Sequence, residues 1–298
     1  MINKILERIP YLRYAYWYRK NSSNRPGHFY SSVLDIDYIK ANERKLWPDR
    51  ESVVKGINLN TEKQIELLKN LKPVYDKLKL DQFESENGNR YIFNKTWFGY
   101  SDATLLYMIL MAYKPKNIIE IGSGFSSALM LDINGQEFDN KINLTFIDPN
   151  PEDRLNSLIK DADRKTATII KGFIQDVDTS VFDKLSANDI LFVDNSHVSK
   201  TGSDVNHTFF EIFPRLKKGT LIHIHDIFNG FMYPKEWIFD TKVNWNEIFL
   251  CRAFLMYNQS FEILLFPDYL KDHSPEIFDD FPYLKKSRPQ SLWLRKID

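Results

Sequence analysis

From Ser101 onward the chain repeats one texture. Five short apolar runs, rich in β-branched residues, appear in turn: NIIEIG (117–122), LTFID (144–148), TATIIKG (166–172), DILFVD (189–194) and GTLIHIHD (219–226). Turn residues bound each run. Helix-length segments separate them: FSSALMLDING, PEDRLNSLIKDA, TSVFDKL and DVNHTFFEIFPRL. Runs that are apolar on both faces belong in a parallel sheet covered by helices. Their alternation with helices predicts an α/β fold with a doubly wound sheet and a ligand at the carboxyl ends of its strands. The rhythm then breaks. NEIFLCRAFLMYN (246–258) predicts a helix, and FEILLFP (261–267) and SLWLRKI (291–297) predict two strands. No helical pattern is evident between those strands, which predicts an antiparallel pair at the sheet edge.

Residues 1–100 lack this regularity. NSSNRPGHFYSS (21–32) reads as loop. NTEKQIELLKNLKPVYDKL (60–78) carries a helical stripe at Ile65, Leu67, Leu68 and Leu71, with Asn60 or Thr61 able to cap it. SDATLLYMILMAYKP (101–115) predicts a helix with Ser101 as N-cap and Pro115 closing it. The expected organisation is an irregular N-terminal extension, 1–100, wrapped on a ligand-binding domain, 101–298.

Composition narrows the function. The chain has 298 residues, with forty basic side chains balancing forty acidic ones. A nucleic-acid binder would show a basic excess, so none is expected. The single cysteine, Cys251, excludes a disulfide framework and a thiolate metal site. The longest strongly apolar run, Leu105 to Tyr113, is far short of the roughly 20 residues of a membrane span. No signal peptide is apparent, and a soluble, cytoplasmic protein is expected. The first 20 residues mix Lys4, Arg8, Arg13, Arg19 and Lys20 with aliphatic and aromatic side chains. This suits a helix packed on the domain or on a second subunit of a homo-oligomer better than a peripheral membrane helix, because Pro10 interrupts the pattern.

The run at 117–122 ends in Gly122-Ser123-Gly124 and passes into a helix. No Gly-Lys-Ser/Thr follows, so this is not a P-loop. A dinucleotide fingerprint would carry Gly or Ala where Ser127 stands, so the match is partial. Glu120 lies two residues before the first glycine, where it could bind an ammonium or order the loop. Asp148 ends the second strand, where a carboxylate can accept two ribose hydroxyls. The glycines allow close approach of the backbone to a ligand.

This combination of E-x-G-x-G, an acid after strand two and an antiparallel end resembles the class I S-adenosylmethionine-dependent methyltransferases, with their Rossmann-like sheet. LFVDNSHV followed by LKKGTLIHIHDIF is similar to the D-x-x-H and H-D signatures of the small-molecule O-methyltransferases, the branch allied to catechol, macrolide-sugar and cephalosporin-type enzymes. The resemblance covers residues 100–298. It implies methyl transfer to a small hydroxylated acceptor such as a sugar, a glycan precursor or a secondary metabolite. It implies S-adenosylmethionine held by Tyr100, Glu120, Gly122, Ser123, Gly124, Asp148, Pro149, Phe173 and Asp194. It also implies a divalent metal at Asp194, His225 and Asp226. His225 stands where the relatives carry a carboxylate, which favours Mn²⁺ or Fe²⁺ over Mg²⁺. Without a metal, His197 or His225 must take the acceptor's proton. The catalytic group is thus Asp194, His197, His225 and Asp226. His223 reads as a core histidine, His207 as helix packing, and Asp204 as the cap of its helix. The aromatic stretches TWFGY (96–100) and FNGFMYPKEW (228–237) would wall the acceptor pocket. Two other functions compete: an NAD-dependent oxidoreductase, and a non-catalytic partner protein on a nucleotide-binding fold.

Overall fold

The computed structural model describes residues 10–48, 54–85 and 87–298. They gather into two compact units, 10–48 with 234–244, and 54–233 with 245–298. The division falls near residue 50, not at residue 100 where the texture of the sequence changes. The reason is visible at Arg90. Its guanidinium binds Asp132 at 2.6 Å and Asp163 at 2.7 Å, tying the stretch before residue 100 to the helix after the first strand. Both carboxylates are buried, so this bidentate pairing is worth more than a surface ion pair.

In the smaller unit, helix α1 spans Pro10–Asn21 and carries Arg19 and Lys20 in its last turn, where cations complement the helix dipole. Asp35 caps the short helix Ile36–Ala41 by accepting from the Tyr38 amide. Lys235 pairs with Glu43 at 2.5 Å. Residues 1–9, the start of the basic aromatic segment, lie outside the described residues. No helix among the described residues is long and apolar enough to cross a membrane.

The larger unit is built on a seven-stranded sheet in the order β3-β2-β1-β4-β5-β7-β6. The strands are β1 Asn117–Ile121, β2 Asn143–Asp148, β3 Ala167–Lys171, β4 Ile190–Val193, β5 Leu221–His225, β6 Phe261–Leu265 and β7 Ser291–Lys296. The first five pair in parallel, and β7 runs antiparallel between β5 and β6. The expected edge pair is there, but its connection is helical: Pro267–His273, a 3₁₀ stretch and Pro282–Lys285. Pro267 and Pro282 each open a helix, and these short segments lack the repeat length that a periodic pattern needs to register. β4 and β5 are buried throughout, whereas β3 on the parallel edge exposes Thr168 and Lys171.

Helix α2, Thr61–Tyr75, buries Gln64, Leu68 and Leu71 on one stripe. Asn60 occupies its cap position without a side-chain cap bond; its amide donates instead to the Ile263 carbonyl. Helix α3, Tyr100–Tyr113, begins one residue before Ser101, with Gly99 as N-cap, so Ser101 lies inside the first turn. Every side chain from Ser101 to Leu110 is buried. A helix apolar all round is a core helix rather than a surface one. Helix α4, Phe125–Glu137, follows β1, and helix α5, Glu247–Leu255, precedes β6. Three expected helices are mostly not α-helical, and DVNHTFFEIFPRL is α only over Asp204–His207 before a π stretch, Thr208–Ile212, and a 3₁₀ turn, Phe213–Arg215. TSVFDKL forms a 3₁₀ segment, and PEDRLNSLIKDA keeps one α turn, Leu155–Leu158. The helix starting at Asp204 is capped by Ser203, and Asp204 instead accepts from Ser196.

Candidate active site

Strand order reverses at β1, which lies between β2 and β4. The crevice beyond the carboxyl ends of β1 and β4 is where a doubly wound sheet binds its ligand. The glycine loop stands there. Gly122 has φ +81°, and a Cβ on it would lie 1.7 Å from the carbonyl oxygen of Asp194. Only glycine fits, because the loop after β1 presses on the tip of β4. Two backbone bonds hold the crossing: the Gly122 amide donates to Ile147 and the Asp194 amide to Ile121, both at 2.9 Å.

The loop is finished by side chains. Glu120 is fully buried and accepts from the hydroxyls of Ser126 and Ser127. Ser127 also accepts from the Gly124 amide at 2.9 Å. The residue that broke the dinucleotide fingerprint is therefore the one that closes this loop, and a glycine there would leave Glu120 short of a partner. Burial pushes the Glu120 carboxyl up to about 8, with Asp194 and Asp148 adding to the rise against the two serine bonds. Of its two expected roles, Glu120 is seen ordering the loop. Asp148 accepts from the Ser123 amide at 2.8 Å and hydroxyl at 3.0 Å through one oxygen, and from the Asn150 amide through the other. Pro149 follows, part-exposed. Phe173, beyond β3, is 56% exposed, so its ring is free to take a flat partner. Arg154 sits 4.6 Å over the exposed Trp97 ring and 5.5 Å over Phe125, at the mouth of the loop. The Tyr100 hydroxyl lies 2.6 Å from Asn94 Oδ1 and 2.9 Å from Glu84 Oε2, which share its one proton, and its ring stacks on Phe93; none of these is a residue of the glycine loop.

The tips of β4 and β5 bring charges together. His197 and Asp226 both have left-handed backbones, φ +57° and +58°, a conformation that side chains with a Cβ adopt at a cost of about 1–3 kcal/mol. The His197 Nε2 lies 3.3 Å from Asp194 Oδ1 and 3.3 Å from Asp226 Oδ2. One donor atom from each of the three residues lies within 4.8 Å of the others. His225 stands outside this group. Its Nε2 is 3.8 Å from Asp226 Oδ1, and its Nδ1 is 3.2 Å from His223. The histidine nitrogen that lies between the two carboxylates is thus His197 Nε2, while His225 lies to one side of them. Strand alternation decides this: His223 and His225 share a face and pack under Phe98, with Phe192 against His223. His223 is the core histidine expected, and its burial beside His225 lowers its pKa well below the usual range.

The cluster sets its own protonation. Burial opposes charge on His197, but hydrogen bonds to Asp194 and Glu247 outweigh it and hold the imidazole well above its ordinary pKa. Asp194 is pulled down to about 2 by His225 and His197, against its burial. Burial raises Asp226 to about 6 despite the same two histidines. Glu247 went unnoticed in the sequence. It is a buried acid in the first turn of a mostly apolar helix, and since an acid is ordinary at that position, the sequence carried no clear signal of its role. The stretch 228–237 does not form an open wall: Phe228, Phe231 and Tyr233 are buried core side chains.

The chain is similar to several known proteins. Residues 119–227 match a family model described as a methyltransferase domain, a span that takes in the glycine loop and the tips of β2, β4 and β5. An uncharacterized protein of Archaeoglobus fulgidus is 34% identical over 181 residues, 59% of this chain and 81% of its own length. Among solved structures, the Podospora anserina methyltransferase PaMTH1 bound to SAH shares 17% identity over 93% of this chain and all of its own, with a TM-score of 0.44. The O-methyltransferase TomG of Streptomyces achromogenes, involved in tomaymycin synthesis and solved with SAM, shares 12% over 78% of this chain and 90% of its own, at 0.42. With the sheet order and the glycine loop already established, residues 119–227 are identified as a methyltransferase domain, in keeping with the resemblance to the class I S-adenosylmethionine-dependent methyltransferases.

Proposed function

We propose that the enzyme methylates a hydroxyl of a small acceptor, a sugar, glycan precursor or secondary metabolite. The observation that carries this is the contact between Gly122 and Asp194. The loop that holds the cofactor and the cluster that handles charge meet backbone to backbone, so an acceptor seated at Asp194 lies beside the cofactor's methionine end.

S-adenosylmethionine supplies the methyl group. Asp148 is the carboxylate for its ribose hydroxyls, Gly122, Ser123 and Gly124 give it backbone room, Glu120 keeps the loop in shape, and Phe173 offers its ring and Pro149 its edge to the adenine. An oxygen acceptor must also lose a proton. Asp194 near 2 is a poor base, and His197 holds its own proton among carboxylates. A divalent cation suits the cluster better: Asp194 and Asp226 present hard oxygens, and Asp226 Oδ1 is buried without a hydrogen-bond partner. Bound there, a cation would acidify the acceptor hydroxyl. The site lies on the parallel sheet of a protein read as cytoplasmic.

Binding is the first test. S-adenosylmethionine at 100 times its Kd should add about 2.7 kcal/mol and visibly raise the melting temperature, whereas NAD should leave it unchanged. A rise with NAD alone would overturn the reading. Transfer of labelled methyl into a panel of sugar and phenol hydroxyls then tests oxygen as the acceptor atom; incorporation confined to amines would sink that part.

A further inference from the structure

We propose that Glu247 is a positioning residue that fixes His197 as the nitrogen ligand of a divalent-cation site completed by Asp194 and Asp226. The methyl-transfer reading above supplies the cation's use; the cation's binding stands on geometry alone.

His197 is held on every side but one. Its Nδ1 donates to Glu247 Oε2 at 2.8 Å, and Glu247 is almost wholly buried. A carboxylate can only accept there, so Nδ1 carries a proton, and a cation at Nε2 would take the place of the proton that Nε2 shares with the two aspartates. The other Glu247 oxygen accepts from the Asn195 amide group at 3.0 Å, and Asn195 in turn accepts from the His197 backbone amide at 2.9 Å. The first amides of α5, those of Asn246 and Glu247, donate to the His197 carbonyl at 3.0 and 3.1 Å. Trp245 covers the ring, centroid to centroid 4.4 Å. These contacts stabilise the left-handed backbone that turns the ring toward β5.

Nε2 is the edge left over, and it faces two carboxylate oxygens at equal separations of 3.3 Å. Adjacent ligands of an octahedral ion with bonds of about 2.1 Å sit about 3 Å apart, close to this spacing. Asp226 adds a second sign. Its side chain is more than nine-tenths buried, and its Oδ1 has no hydrogen-bond partner. Left without a cation, the pocket would gather three carboxylates around one imidazole. A histidine ligand whose far nitrogen donates to a carboxylate is a recurring arrangement at metal sites, because that bond fixes the tautomer and strengthens the ligand. Two oxygens and a nitrogen favour Mn²⁺ or Fe²⁺ over Mg²⁺.

The experiment is titration of Mn²⁺ alone into the full-length, chelator-stripped protein, with free Mn²⁺ read by electron paramagnetic resonance. Wild type should take up one ion per chain. Glu247→Gln, which keeps the shape but loses the charge, should weaken uptake about 10–100-fold. His225→Gln should weaken it far less than Glu247→Gln does. Pulsed spectra on ¹⁵N-histidine protein should show nitrogen coupled to manganese, lost in His197→Gln and kept in His225→Gln. If Glu247→Gln melts below the assay temperature, Glu247→Asp carries the same expectation, since the shorter acid withdraws from Nδ1. Absence of uptake by wild type, uptake by Glu247→Gln equal to wild type, or nitrogen coupling lost with His225→Gln would each overturn the proposal. Calorimetry with S-adenosylmethionine on the same samples separates the two readings. Cofactor binding without Mn²⁺ uptake sinks the cation site alone, and Mn²⁺ uptake without cofactor binding sinks the methyltransferase reading alone.

Discussion

The two halves of the active site are built on opposite principles. At the ends of β1 and β2, the buried carboxylate of Glu120 has its serines, Asp148 has the Ser123 and Asn150 amides, and Gly124 has the Ser127 hydroxyl. Polar groups there are satisfied before any ligand arrives. At the ends of β4 and β5, two residues adopt strained backbones, three carboxylates surround one imidazole, and a buried carboxylate oxygen has no hydrogen-bond partner. On the proposed function, the first half is a preformed cradle that the cofactor would enter with little rearrangement. The second holds unspent interaction energy, which is where chemistry is expected. The loop is a matter of shape and the cluster a matter of charge, and Gly122 joins them.

The contrast breaks most sharply at Asp194. Asp194→Ala removes the charge but leaves the loop's own bonds in place. Methyl transfer should fall about 10²–10⁴-fold, the range for losing help with the acceptor's proton, because the proposed cation loses an oxygen ligand, while cofactor affinity holds. Turnover assays paired with calorimetry check this, and intact turnover with bound cofactor would move the chemistry elsewhere.

Asp148→Ala probes the cradle. It takes away a charged acceptor of the Ser123 amide as well as the ribose contact. Cofactor affinity should drop by about 1.5–3 kcal/mol, which is about 10–150-fold by calorimetry. An unchanged Kd would remove Asp148 from the cofactor site.

The smallest effect sharpens the comparison through pH. The folded protein keeps a proton on Glu120 up to about 8, whereas the unfolded chain releases it near 4.5. Stability from this group is present below 4.5 and is lost as pH rises toward 8, at no more than about 1.4 kcal/mol per pH unit. Glu120→Gln imitates the protonated form, so its urea midpoint should decline less between pH 5 and 8. Parallel curves for wild type and mutant would mean that Glu120 is ionised in the folded state.

Much of the cradle was legible in the chain. A β-branched run, an acid, two glycines and an acid after the next run have meaning at short range, because a strand-to-helix turn and its close approaches are local events. The helix between β6 and β7 escaped notice because its pieces are too short to show a period. The partnership of His197 with Glu247, 50 residues on, could not be read at all: nothing near either residue says that α5 will dock its first turn on the His197 carbonyl.

The sequence by itself determined the succession of strands, the glycine at 122 and the carboxylates at the strand ends, since period, steric size and side-chain chemistry are properties of neighbouring residues. Which histidine meets those carboxylates was decided only in three dimensions. Strand alternation buries His225 beside His223 under aromatic rings, while a left-handed turn, braced by a distant helix, points His197 back at Asp194 and Asp226. Side-chain direction at the end of a strand depends on what packs behind it, and that is set by contacts the linear order does not contain.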